Sequence, residues 1–521
     1  MDISRRSFLQ GSALGVTGIA LMGITGCNSE NSSKEGTETT VETIVATESL
    51  DCDVCVVGAG FSGLVAAVQA AEGGASVIAL EASSAAGGAA LSGIEGSFAA
   101  DSRLAKEQGI TVDIKKILMS EMDQSQWRAD GLAWMEMMQN SGTNMDWLMD
   151  HGVKIEKIDN YHGKEYECFH WYKNGAPEGY AKPMVEAAEK AGVQFKFSTP
   201  AKSLIHNDDG EISGVYAQNE HNEWIEIHAK AVIIATGGFG QDHELCAAMG
   251  YPQDRILTVG TAYADGTGHR MAVEAGAKDF AMYACDNCGA IIDSIGFCLP
   301  NIGWCMQPQN PWINENCERF YKEDNCVIEN SKANPPKWNQ ERCFMVWDSA
   351  SMQAYEQGMA EGTIPYGDQL KKGFTEIVAD AVNSGQGDIF EADTPSELAK
   401  KAGLDPTAME QFFDSYNAMC ESGNDELWSK DSQYLQALSS PPFYIAEPIY
   451  AMFATIGSVY TNRNGQVVDA AHHPIPRLYA VGVEGCMLYR NVYTIGTPGS
   501  CSGNSINSAR TAAQHALKTY L

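Results

Sequence analysis

The chain has 521 residues, 44% of them hydrophobic, enough for more than one domain with its own core. Its 35 Lys and Arg against 67 Asp and Glu leave a net charge of −32. Such acidity excludes a nucleic-acid binder and a basic face that docks on anionic lipid, and it suits a soluble exported protein without naming a partner.

The first 27 residues read as an address. Ser4-Arg5-Arg6-Ser7-Phe8-Leu9 carries a twin-arginine pattern, and the weakly apolar stretch behind it, 13–26, is too short to span a bilayer. It ends in Ile24-Thr25-Gly26-Cys27, a lipoprotein-box pattern. Cleavage before Cys27 is expected to leave a lipidated cysteine, with the protein on the outer face of the cytoplasmic membrane or in the periplasm and touching the membrane only through that anchor. Twin-arginine export carries folded proteins, usually ones that take up a cofactor before they leave. Residues 28–49, rich in Ser, Thr, Glu and Asn and without periodicity, read as a flexible tether.

An apolar strand beginning near Asp51 then feeds Gly58-x-Gly60-x-x-Gly63, a small-residue helix follows, and a second strand, Val77-Ile-Ala-Leu80, ends on Glu81. This is the βαβ dinucleotide fingerprint. Gly58 permits the tight turn, Gly60 lets backbone N–H groups approach a pyrophosphate, and Gly63 lets helix and strand pack closely. Glu81, 18 residues after Gly63, is placed to accept hydrogen bonds from a ribose. Gly87-Gly88 lies on a loop able to wrap the same pyrophosphate. Further along, Ala231-Val-Ile-Ile-Ala-Thr236-Gly237-Gly238 reads as a strand entering a glycine turn. Ala264-Asp265-Gly266-Thr267-Gly268 reads as a turn capping a helix. A last strand, Arg477 to Gly482, precedes a loop and Gly503-Asn504-Ser505-Ile506 opening the final helix.

Fifteen cysteines in an exported chain raise the question of disulfides. Cys52 and Cys55 fall in the first core strand and read as buried. Cys285-x-x-Cys288 could be a disulfide, a redox pair or two pocket-lining thiols. There is no Cys-x-x-Cys-His for haem, and no metal-ligand spacing.

Together these motifs resemble the flavoprotein subunit family of fumarate reductase and succinate dehydrogenase, with urocanate reductase, 3-ketosteroid dehydrogenase and secreted flavin reductases of anaerobic bacteria as relatives. The resemblance covers about 50–285 and 440–521. It implies an α/β fold: a Rossmann-like FAD-binding domain (50–280 and 444–521) with an inserted α+β capping domain (281–443). It implies FAD rather than NAD, contacted by Gly58, Gly60, Gly63, Glu81, Gly87, Gly88, Thr236, Gly237, Gly238, Asp265, Ser505 and Ile506. Glu484 matches the family's glutamate with a displacement of about one residue. No histidine follows Gly88 where respiratory members attach the flavin, so FAD is expected to be non-covalent.

The chain departs from the dicarboxylate enzymes where those clamp carboxylates with two histidines and two arginines. The matching positions fall near Cys288, Val327, Ala454 and Ser500, none of them cationic. Without fixed cations a doubly charged acceptor would be desolvated at several kcal/mol per charge. Trp304, Met306, Trp312, Trp338, Phe344 and Trp347 in the insertion, with Tyr489 and Tyr493 near the end, would suit a larger, flatter, more neutral ligand. They could equally be the insertion's core. The expected activity is reduction of an activated C=C bond, an enone or enoate, in a small organic acceptor. Tyr493 is the expected proton donor, and Arg490 and Tyr489 share its loop. Arg319, Glu323 and Asp324 are secondary candidates or a solvated turn. Electrons must come from a membrane quinol-linked cytochrome or an FMN-carrying protein. Two other readings stay open: a dehydrogenase of a ketosteroid-like substrate, and a flavin electron carrier without turnover.

Overall fold

A computed structural model describes residues 44–521, apart from residue 329 and the side chains of 327–332. The arginine pair, Cys27 and most of the expected tether lie outside the described residues. The first strand starts at Glu48, so the last residues of that tether segment already belong to the sheet.

The elements that position the site are, in order, β1 (Glu48–Val57), α1 (Phe61–Glu72), β2 (Val77–Leu80), α2 (Ile114–Gln124) and α3 (Gly131–Asp150). Next come β3 (Gln194–Lys196), β4 (Ala201–His206), β5 (Ile212–Gln218), β6 (Trp224–Ile234), α4 (Thr267–Glu274) and β7 (Cys285–Ile291). Last are α5 (Asn330–Trp338), β8 (Ile449–Ile456), β9 (Gln466–Val468), β10 (Pro474–Ala480) and α6 (Ser500–Tyr520).

The main sheet runs β9-β10-β6-β1-β2-β3, with β5 added on β6 and β4 on β5. β1 lies between β2 and β6, parallel to both, with Val57 opposite Leu80 on one side and Ile234 on the other. That central place explains the unbroken apolar run of Val54–Val57: both faces are covered, so every residue is buried and no polar alternation survives. One face is closed by α1 and α6, whose alanines Ala66, Ala70, Ala509, Ala512, Ala513 and Ala516 share one core. Small side chains here bring the two helices close to each other and to the sheet.

Three smaller sheets complete the described structure. Gly96–Phe98, Phe169–Tyr172 and Ile155–Asp159 form one, near α2 and α3. β8 pairs with β7 and with Ile256–Thr258 in another. The third joins Trp312–Asn314, Cys343–Asp348, Phe443–Ala446 and Ile389–Ala392, so its third strand lies across the 443/444 boundary expected for the insertion.

Candidate active site

At the C-terminal end of β1 the glycines act as sequence reasoning requires. Gly58 has φ +101°, and a Cβ on Gly63 would lie 1.8 Å from the Gly58 carbonyl oxygen, so helix and turn meet with no room for a side chain. The 87–88 loop is laid over this turn: Gly87 N–H donates to Ala59 O at 2.9 Å, and a Cβ on Gly88 would stand 2.9 Å from Gly60 Cα. Glu81 is buried at the end of β2, its two oxygens accepting from the N–H groups of Ala59 and Ser83, both at 2.9 Å. Each oxygen keeps a second lone pair for a ribose hydroxyl.

A second half of the cradle forms where β6 ends. Glu484, fully buried, accepts from Thr236 Oγ1 at 2.5 Å and from Gly238 N–H at 2.9 Å. Its displaced position in the sequence therefore still delivers the carboxylate to the glycine turn. The other oxygen, Oε1, is buried without a hydrogen-bond partner among the described residues. A buried carboxylate oxygen left unpaired costs free energy, and a ligand hydroxyl would relieve it. Gly237 and Gly238 have φ +91° and +85°. Gly482, which the motif reading did not single out, is needed too: at φ +67°, a Cβ there would lie 2.5 Å from Ser62 Oγ. The glycine faces and the orphaned oxygen together fit FAD, and Glu81 and Glu484 each offer open acceptor positions to hydroxyls of such a ligand.

Three expected contacts sit differently. Asp265 is exposed, its Oδ1 accepting from Thr267 N–H at 3.0 Å, so its side chain caps α4. What α4 brings to the cradle is Gly268, where a Cβ would lie 2.0 Å from Thr236 Oγ1. Ser505 and Ile506 are buried within α6, not at its start, because the helix opens at Ser500 behind Gly499 in the left-handed region. Ser505 Oγ donates back to Cys501 O.

The segment between β10 and α6 is tied down along its length. Trp134 Nε1 donates to Leu488 O at 2.6 Å, the Arg490 guanidinium lies 3.9 Å above the Tyr283 ring, and Asn491 N–H donates to Tyr283 O. Ser500 Oγ donates to Thr497 O at 2.7 Å, so its contact of 2.5 Å with Tyr489 Oη takes the tyrosine's proton. Tyr489 is thereby engaged inside the loop. Tyr493 packs edge-on against it, centroids 5.0 Å apart. Burial pushes the Tyr493 phenol well above its ordinary pKa, with Cys501, Cys285, Cys486 and Glu121 adding to the effect. The phenol keeps its proton at neutral pH. Sequence reasoning missed Glu121: buried on α2, it accepts from Thr494 Oγ1 at 2.5 Å and from Thr497 Oγ1. It also missed Asp286 on β7, where burial raises the carboxyl pKa to about 6 despite a hydrogen bond from Asn334 Nδ2 at 2.9 Å. Glu121 lies in no motif, and Asp286 sits unremarked between the two cysteines of Cys285-x-x-Cys288.

Of the residues near which the resemblance puts the carboxylate clamp, Cys288 is buried on β7, Ala454 lies on β8, Ser500 is buried at the start of α6, and Val327 lies in the helix Asn325–Ile328. β8 touches the cradle directly, because Phe239 N–H donates to Thr455 Oγ1 at 2.9 Å.

Several acceptor-side expectations are corrected. Trp304, Trp312, Phe344 and Trp347 are at most 1% exposed and belong to the core of the insertion. The strand Cys343–Asp348 is covered on both faces, Phe344 facing one cluster and Trp347 the other, so its aromatics bind the layers together. Trp338 is half-buried against the same core, and Met306 is half-buried against the separate cluster of Ile291, Ile302 and Ala451. Arg319 and Glu323 form no solvated turn: Arg319 spans Glu323 (2.8 and 2.6 Å) and Asp425 (2.9 Å), with Lys430 Nζ 3.7 Å from Glu323, all four buried. Asp324 Oδ2 accepts from Asp431 N–H nearby. Opposite charges are matched within this cluster, which gives it a structural role. Cys285 and Cys288 are both buried free thiols that join different clusters, and every cysteine among the described residues is free.

Residues 53–497 match the family described as "FAD binding domain". The chain belongs to this family. It is an FAD-dependent reductase or dehydrogenase of the group acting on C=C or CH–CH bonds. Among its relatives is vinyl phenol reductase of Lactiplantibacillus plantarum, 31% identical over 89% of this chain and 96% of that protein. Another is urocanate reductase of Eggerthella lenta, 26% identical over 83% and 70%. The fold of this flavoprotein is that of a flavocytochrome c3 fumarate reductase in its open conformation, TM-score 0.68 at 21% identity over 91% of this chain and 79% of that one. It is equally that of 3-ketosteroid-Δ4-(5α)-dehydrogenase from Rhodococcus jostii, TM-score 0.68 at 21% identity over 92% and 99%.

Proposed function

We propose that this flavoprotein is an exported reductase that saturates the C=C bond of a neutral aromatic acceptor of the vinyl-phenol type, larger and less charged than fumarate. The observation that carries the reading is that the residues near which the resemblance puts the carboxylate clamp, Cys288, Val327, Ala454 and Ser500, are all uncharged. Identity to vinyl phenol reductase along nearly its whole length supports it.

Bound non-covalently in the cradle, FAD supplies a hydride equivalent. The chain's part is to hold the acceptor against it and to move protons. An isolated styrene is a poor hydride acceptor. Protonating the vinyl terminus while the phenol oxygen loses its own proton turns a 4-vinylphenol into a quinone methide, electronically a long enone. Hydride then closes at the benzylic carbon and the phenol oxygen regains a proton, giving the 4-ethylphenol. Tyr493 is assigned the proton to the vinyl terminus, since its buried phenol stays protonated. Arg490 is assigned to polarise the acceptor oxygen. Electrons reach the flavin from a quinol-linked cytochrome or an FMN protein, for which the acidic surface favours a donor with a basic docking face.

The test is anaerobic mixing of dithionite-reduced protein with 4-vinylphenol, a steroid enone, urocanate and fumarate, following flavin reoxidation and product. Reoxidation by 4-vinylphenol at least about a hundredfold faster than by fumarate is expected, about what a fixed cation pair would otherwise contribute. Comparable turnover of fumarate would sink the reading, and faster flavin reduction by a saturated steroid would reverse its direction. Export is read separately. Arg5→Lys with Arg6→Lys should hold the folded yellow protein in the cytoplasm, and normal export of that variant would show that another route is used.

A further inference from the structure

Glu121 stands where an apolar residue would be expected. It lies one turn after Ile117 on the inward face of α2, facing the cluster of Trp134, Met137, Leu488 and Tyr489. A carboxylate in such surroundings is costly unless it is hydrogen-bonded, and an apolar replacement of the whole group would join the same elements more cheaply. The polar version adds direction. Thr494 and Thr497 have one hydroxyl proton each, both given to Glu121, and the two residues flank Ile495-Gly496. Among the described residues nothing packs within 4 Å of where a Gly496 side chain would begin, so this short stretch takes its position from its flanks. One flank begins immediately after Tyr493. The other passes through Thr497 O to Ser500 and on to Tyr489.

We propose that Glu121 is a positioning residue of the acceptor site: through Thr494 and Thr497 it holds residues 493–497, and with them the Tyr493 hydroxyl, in register with the flavin cleft. This rests on the reading above only in placing the acceptor beside that segment.

The variants are Glu121→Gln, the triple apolar replacement Glu121→Leu/Thr494→Val/Thr497→Val, and the conservative pair Thr494→Ser/Thr497→Ser, each purified with FAD. Hydrogen exchange at residues 493–497 reads the positioning itself. At least about tenfold faster exchange is expected in the first two variants, with α2 unchanged, and wild-type exchange in both would overturn the inference. Reoxidation by 4-vinylphenol reads its consequence. About 10- to 100-fold slowing in the first two variants, through kcat more than KM, is expected, with full recovery in the serine pair. FAD content, dithionite reduction and reoxidation by dioxygen should stay within about twofold of wild type, because none needs a positioned proton donor. Parallel loss of these controls would mean a purely structural role and would also overturn the inference. If 4-vinylphenol fails to reoxidise even the wild type, the proposed acceptor falls, while the exchange result still decides for or against Glu121.

Discussion

The two walls of this cleft are made by opposite means. The FAD cradle is a matter of backbone: glycines at Gly58, Gly60, Gly63, Gly87, Gly88, Gly237 and Gly238 remove side chains so that main-chain groups come close to a ligand, and two carboxylates, Glu81 and Glu484, are held by main-chain N–H groups. The wall proposed for the acceptor is a matter of side chains: Tyr489 on Ser500, and two threonines on Glu121, which lies 373 and 376 residues before them. A backbone site tolerates almost any neighbour but no Cβ. A side-chain site tolerates drift of the backbone but not loss of a partner. The walls should therefore fail in different ways.

The largest effect is expected in the cradle. Gly63→Ala drives a methyl into the Gly58 carbonyl and should abolish both the fold of the turn and flavin binding, whereas Gly60→Val has ordinary contact distance to Gly88 and should give folded, colourless protein. Flavin absorbance together with a thermal melt separates the two. A yellow Gly63→Ala protein of normal stability would mean that helix and strand are not so closely packed.

On the acceptor wall, Tyr493→Phe should keep FAD and its reduction but slow reoxidation by about 10²–10⁴-fold, the usual worth of a positioned acid. Stopped-flow measurement of each half-reaction checks this, and an unchanged second half moves the proton to Arg490 or Asp286.

The smallest effect is a pH dependence carried by the scaffold behind that wall. Burial lowers His170 to a pKa of about 4, with Ser102 Oγ 2.8 Å from its Nε2. The unfolded imidazole, near 6.5, takes up a proton first, so the stability is complete above about pH 6.5 and is lost as pH falls toward 4, up to about 3 kcal/mol. Melting temperature against pH should show this acid slope, and His170→Gln should flatten it. An equal slope in the variant would assign it elsewhere.

The contrast also decides how much could be read from the chain before its structure. Strand, glycine turn, helix and acid are adjacent in sequence, so the β1–α1–β2 unit and its ligand class were legible, as was the second glycine turn at Thr236. Asp265 was legible as a turn, but the hydrogen bond its side chain accepts from Thr267 N–H was not. Glu121 and Asp286 were not legible, because a lone acid on a helix or strand acquires meaning only from what long-range packing sets opposite it. The cap aromatics looked like a binding surface for the converse reason. Large apolar residues serve cores and pockets alike, and only a sheet buried on both faces decided for the core.

One consequence follows from the thiols. Cys55, Cys285, Cys288 and Cys501 all lie in apolar surroundings that push their pKa values far up, so almost no thiolate exists to meet an oxidant or a disulfide. In the fold these four sulfurs are chemically quiet toward an oxidant. Unfolded in an oxidising medium, the same sulfurs would be exposed at ordinary acidity and would cross-link in combinations that no sheet of this architecture could accommodate. Reduction during refolding should therefore govern how much activity is recovered after denaturation.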